Sequence, residues 1–145
     1  MRLLPPPKGS GFPPTTTERN LFMNDILWNK LKPFRLAPNW KIMWNKLSDI
    51  EPDDIKQNDE AWLFMFVQDI LYIVTEYTHK ENKNPIKHTL AIDLGWYPEG
   101  DIKGCYHLVA ILDNNWNKPI LEIKTRSTQE VVDTIELWLF ETLIT

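Results

Sequence analysis

The side chains best suited to chemistry in this 145-residue chain are one cysteine, three histidines and a dense run of carboxylates. Cys105 and His107 stand two apart in CYHLVAIL, which as a strand puts both on one face, and His88 belongs to the preceding apolar segment. These are zinc-ligand residue types. Cys105 and His107 also have the makings of a thiol nucleophile and its base. Same-face strand neighbours, however, lie about 6.6–6.8 Å apart at the backbone, and a thiol base must sit within hydrogen-bond reach. Packing of a half-buried sheet face is the preferred reading of both residues.

Asp49, Glu51, Asp53 and Glu60 occupy the first, third, fifth and twelfth places of a calcium-loop template. The sixth place, which needs glycine, is Asp54; Pro52 restricts the backbone, and Lys56 takes a place that is usually apolar. A solvated loop, or one that docks on a basic partner, fits better than a metal site. The remaining constellation for a small hydrolase is His107 with Asp93 and Glu99, which would have to converge in one concave pocket. The sequence contains no G-x-S-x-G, H-E-x-x-H, P-loop or G-x-G-x-x-G. No catalytic set, metal or cofactor is expected.

Charge and aromatic content point instead to recognition. The net charge of -4 is unevenly spread. Residues 1–48 sum to +6, residues 49–60 to -5 and residues 61–145 to -5. An acidic surface repels nucleic acid and attracts basic partners. The Lys and Arg of the first third are scattered singly, as on an ordinary solvated face. Seventeen aromatic residues, seven of them tryptophan, imply an aromatic core or an adhesive surface. Five acids of the loop, Glu51, Asp53, Asp54, Asp59 and Glu60, are interface candidates. Trp96, Tyr97, Glu99, Asp101 and Trp116 join them, because they fall in segments read as turns, where burial is harder.

The elements that position these residues follow from periodicity. One core is expected, with about 69% of the unfolded surface buried at this length. Residues 1–17 hold five prolines and two glycines and read as an extended arm. Thr15 and Glu18 resemble a capping box, and a helix is expected over about 16–32, stopped by Pro33. Trp40, Ile42 and Trp44 suggest a short strand after Pro38. AWLFMFVQDILYIVTEY admits strand or buried helix in its first part, and strand from Ile70 to Tyr77. HTLAIDL and PILEIKTRS alternate, CYHLVAIL reads as an interior strand, and GWYPEGDIKG and DNNWNKP as turns. Ser127 and Glu130 form a capping box before a helix whose buried stripe is Val131, Val132, Ile135, Trp138, Leu139 and Leu143. Leu137, Phe140 and Ile144 project from its acidic side, under another layer or in a contact patch. The expected fold is α+β: an antiparallel sheet of about five strands with N- and C-terminal helices packed against it, formed by residues 18–145.

The segments NWKIMWNKLSDIEP, GWYPEGDIKGCYHLVAIL and STQEVVDTIELWLFE, set in the plan of residues 19–143, resemble small bacterial immunity proteins of contact-dependent growth inhibition and related polymorphic toxin systems. The resemblance implies a cytoplasmic protein that binds a cognate toxin C-terminal domain, often a basic nuclease, in a 1:1 complex and blocks it. It carries over no individual site residue, because each such protein uses its own surface. Independently of it, a single cysteine rules out an internal disulfide and favours a cytoplasmic protein. The longest apolar stretch, Ala61 to Thr75, is interrupted by Gln68 and Asp69 and too short to span a bilayer. Neither membrane nor direct nucleic-acid contact is expected. The alternatives are an adaptor using the same acidic and aromatic surface, or the small hydrolase centred on His107.

Overall fold

The computed structural model describes residues 30–143. Five strands follow one another in space as in sequence: β1 (Lys41–Asn45), β2 (Leu71–Glu81), β3 (Asn84–Tyr97), β4 (Cys105–Leu112) and β5 (Leu121–Thr125), every neighbouring pair antiparallel. A one-turn helix, α1 (Ala61–Met65), precedes β2, and helix α2 (Thr128–Leu137) follows β5. The fold is therefore α+β with a five-stranded antiparallel meander. The arm and nearly all of the helix expected over 16–32 lie outside the described residues. The final part of that helix, 30–32, is not helical: Leu31 bridges Ser48, and the Lys32 N–H donates to the Leu47 carbonyl at 2.9 Å.

Alternation assigns the faces. Leu90, Ile92, Leu94 and Trp96 of β3, with Tyr106, Leu108 and Ala110 of β4 and Leu71 and Ile73 of β2, form one buried face. The α2 stripe Val131, Val132 and Ile135 packs in the same core, as do Trp62, Met65 and Phe66 from α1 and its exit. After Leu137 the last turn widens to a π-turn over Trp138–Thr142, and the Leu143 N–H donates to the Trp138 carbonyl at 2.7 Å. This keeps Trp138, Leu139 and Leu143 buried, as the stripe requires. Leu137 and Phe140 are exposed, with the Arg35 guanidinium 4.8 Å above the Phe140 ring.

The β2–β3 hairpin turns through Asn82 and Lys83, both at positive φ, which suits a two-residue loop of the primed type. Edge strand β1 is short and bulged between Ile42 and Trp44, which blunts it against further pairing. On the opposite sheet face Ala91, Val109 and Ile111 form a second small apolar cluster with Tyr72 and Val74. Among the described residues no helix covers it. No helix there is long and apolar enough to cross a membrane.

Candidate functional site

The acidic loop is largely consumed in holding the fold together. Glu51 crosses to the start of α2, where Oε1 accepts the Thr128 N–H at 2.7 Å and Oε2 the Gln129 N–H at 3.1 Å. These amides have no partner within the helix, and a carboxylate there also meets the positive end of the helix dipole. Asp53 Oδ1 accepts from Arg126 Nε and Nη2 at 3.1 and 2.9 Å, while Arg126 Nη1 donates to the carbonyls of Ile102 and Gly104. Asp59 accepts the Ala61 N–H at the head of α1 at 2.9 Å. Asp101 accepts the Lys103 N–H at 2.8 Å and, through its carbonyl, the Trp96 indole N–H at 2.8 Å. Asp54 and Glu60 remain as exposed loop acids.

Replacing Glu51 by alanine is expected to cost about 1–2 kcal/mol, the usual range for losing a helix cap. The Thr128 and Gln129 amides should exchange faster in the variant. Hydrogen exchange together with a urea melt measures both effects, and Glu51→Gln should recover part of the loss.

Trp96 is not a surface anchor. It is 0% exposed, because β3 continues through the segment read as a turn and places the indole in the core. Tyr97 points to the opposite face and is exposed, with Glu99 exposed in the turn beyond it. Trp116 is 48% exposed but folds back from the β4–β5 loop over the open sheet face, 6.2 Å from the Tyr72 ring. The expected interface is thus divided: Glu51, Asp59, Asp101 and Trp96 serve mainly the fold, Asp53 pairs with Arg126 while remaining exposed, and Asp54, Glu60, Tyr97, Glu99 and Trp116 stay at the surface.

Two surface features were absent from the sequence reading. The first is on α1, where Leu63 and Phe64 are 69% and 62% exposed. Ala61, Trp62 and Met65 bury one side of this single turn, so its other two residues must face outward. The Leu63 N–H donates to the Glu60 carbonyl at 2.9 Å, and the Gly100 N–H donates to the Phe66 carbonyl at 2.7 Å. The second bond ties the exit of α1 to the turn that carries Tyr97 and Glu99. The available signal was the uninterrupted run AWLFM, which a short helix cannot bury on all sides.

The second feature is the open sheet face. Trp44 stacks on Tyr72 at 4.7 Å between centroids, and Trp116 extends the row. Asp93 lies opposite Tyr72 on one side and Val109 on the other. Burial raises the Asp93 carboxyl to about 6, the Asp69 charge adds to the rise, and His107 opposes it. Burial and the Asp93 charge also raise the Tyr72 and Tyr97 hydroxyls, and Asp69 and Glu99 contribute at Tyr97. His107 Nε2 is 2.7 Å from Glu122 Oε2.

For the chemical alternatives the placement is unfavourable. Asp93 and His107 share the open face, while Glu99 sits in the exposed turn. A cavity of about 190 Å³ is lined by Pro52, Asp53, Trp62 and Arg126 among others, and contains none of the three. His88 faces away from Cys105 and His107 and pairs with Asp113 at 2.7 Å. Among the described residues no three His, Cys, Asp or Glu side chains are grouped to hold a metal ion. Comparison with protein families, curated proteins and solved structures finds no match to this chain.

Proposed function

We propose that this protein is a non-enzymatic binding protein of the toxin-immunity kind, which captures a basic protein partner in a 1:1 complex and covers its working surface. The observation that carries this reading is the exposed Leu63–Phe64 pair of α1, set beside a loop and a turn that carry carboxylates. Glu60 adjoins it in sequence, Glu99 belongs to the turn against which α1 is tied, and Asp69 and Glu99 both act on neighbouring Tyr97. Apolar anchors that exclude water supply affinity, and a like-signed rim accelerates capture of an oppositely charged protein. A nuclease is the preferred partner class, because its phosphate-binding surface is basic and accepts an acidic cover. The site of action under this reading is the cytoplasm.

The test pairs the purified chain with the product of the neighbouring reading frame at near-physiological salt. A 1:1 complex is expected, and the partner expressed alone should arrest growth that co-expression restores. Leu63→Ser with Phe64→Ser should weaken the complex by roughly 100-fold, as loss of a central apolar anchor does. The melting temperature should stay nearly unchanged, since surface substitutions shift stability by only about 0.5 kcal/mol. Absence of a complex with the unaltered chain would end this reading.

A further inference from the structure

We propose that the open face of the sheet receives a guanidinium side chain, seated on Asp93 between the rings of Tyr72 and Tyr97. This rests on the reading of a basic protein partner and names the group that partner inserts.

The geometry begins with Asp93 on central strand β3. Its cross-strand neighbours are Tyr72 and Val109, and Ala91 and Val109 give the site an apolar floor. Two residues along β3, Gly95 has no side chain, and the Gln68 carbonyl and the Tyr97 ring together occupy the space a Cβ would claim, with the ring's Cε2 2.7 Å from that position. Tyr97 is therefore folded back along the face towards Asp93 rather than standing off it. The carboxylate thus has an aromatic ring on the neighbouring strand and another along its own.

The charges around it call for a cation. Asp69 adds negative charge, and among the described residues the opposing His107, with Lys124 across from it on β5, is already held by Glu122 at 2.7 Å. A metal ion would need more ligands than the described residues gather here. A guanidinium meets each requirement. It pairs with a carboxylate through two parallel hydrogen bonds, can stack on an aromatic plane such as that of Tyr97 (the Tyr72 ring being already stacked with Trp44 and Trp116), and is less strongly hydrated than an ammonium, so it loses less on entering a half-buried apolar face. The row Trp44–Tyr72–Trp116, with interplanar angles of 22° and 24°, gives the segment carrying the arginine an apolar surface on which to lie.

The probe is N-acetyl-arginine amide, titrated to about 20 mM while the tryptophan indole N–H signals are followed by NMR; a fragment this small is held only weakly. Trp44 and Trp116 should shift and saturate, while buried Trp62 and Trp96 stay fixed. N-acetyl-citrulline amide, which has the same shape without the charge, should give no saturating shift, and the lysine analogue should bind at least about fivefold more weakly. Asp93→Asn should abolish the arginine response with the Trp62 and Trp96 signals unmoved. Equal responses to arginine and citrulline, or an undiminished response in Asp93→Asn, would overturn the proposal. With the partner protein, Asp93→Asn should weaken the complex by roughly tenfold or more, and the Leu63→Ser, Phe64→Ser chain should keep its arginine response. A partner complex without any arginine response defeats the Asp93 site and leaves the functional reading standing. An arginine response without a partner complex does the reverse.

Discussion

Trp96→Ala is expected to lower the unfolding free energy by about 3–5 kcal/mol, the range for deleting a large aromatic side chain from a core. The ring is fully buried, 4.5 Å from Phe66, 5.0 Å edge-on from Tyr106 and 5.7 Å from Trp62 between centroids. Its indole N–H holds the Asp101 carbonyl, and the Arg126 guanidinium lies 5.4 Å from its ring while binding the Ile102 and Gly104 carbonyls. Removing it therefore opens a cavity, orphans a carbonyl and loosens the arginine joining the acidic loop to the 101–104 turn. A domain whose total stability is of order 5–15 kcal/mol is left near its unfolding threshold. Trp96→Phe should fall between, because it restores much of the volume but not the N–H. Trp116→Ala should cost under about 1 kcal/mol, since that ring is half in solvent. Urea melts of the three variants check the order, and a Trp96→Ala loss no greater than that of Trp116→Ala would refute it.

The same residue shows where a sequence is legible and where it is not. Periodicity exposes what depends on one element at a time: the alternation through Leu90, Ile92 and Leu94, the inward Leu121 and Ile123, and the six-residue stripe of the C-terminal helix all lie as their spacing implies. Trp96 was misplaced because Gly95, Pro98, Gly100 and Gly104 punctuate its neighbourhood as a turn does. Gly95 is instead a strand residue, needed where the Gln68 carbonyl and the Tyr97 ring crowd the backbone. The Gln68 part of that crowding comes from a segment 27 residues away in sequence and leaves no local trace. The acids were likewise only partly legible. Their charge is plain in the sequence, but Glu51 is spent on amides 77 and 78 residues away and Asp53 on an arginine 73 residues away. Leu63 and Phe64 show the converse: apolar composition suggested burial, and only the short α1 turn showed that both could not be buried. Composition thus shows how much charge and aromatic surface there is to place, while tertiary contacts decide which of those residues stay exposed.

Asp93→Asn is expected to stabilise the free protein at pH 7.5 and to do little at pH 4. Burial, which disfavours the charged form, pushes the folded carboxyl up to about 6 from its ordinary value of 3.8. The folded state therefore binds this proton more tightly than the unfolded chain does. The associated stability is fully present below about pH 4 and is lost as pH rises through 6. Two pH units at about 1.4 kcal/mol each set an upper bound near 3 kcal/mol, and solvent screening of this half-buried group reduces the expected gain to about 1–2 kcal/mol. The amide keeps the shape and sheds the charge, so the gain should appear only on the alkaline side of the transition; urea melts at pH 4 and 7.5 measure it. The central strand thus carries a carboxylate that weakens the free fold at neutral pH, a cost that an incoming cation would offset on binding. If the variant is neutral or destabilised at pH 7.5, His107 already compensates the charge within the fold, and the electrostatic drive for a guest on this face disappears.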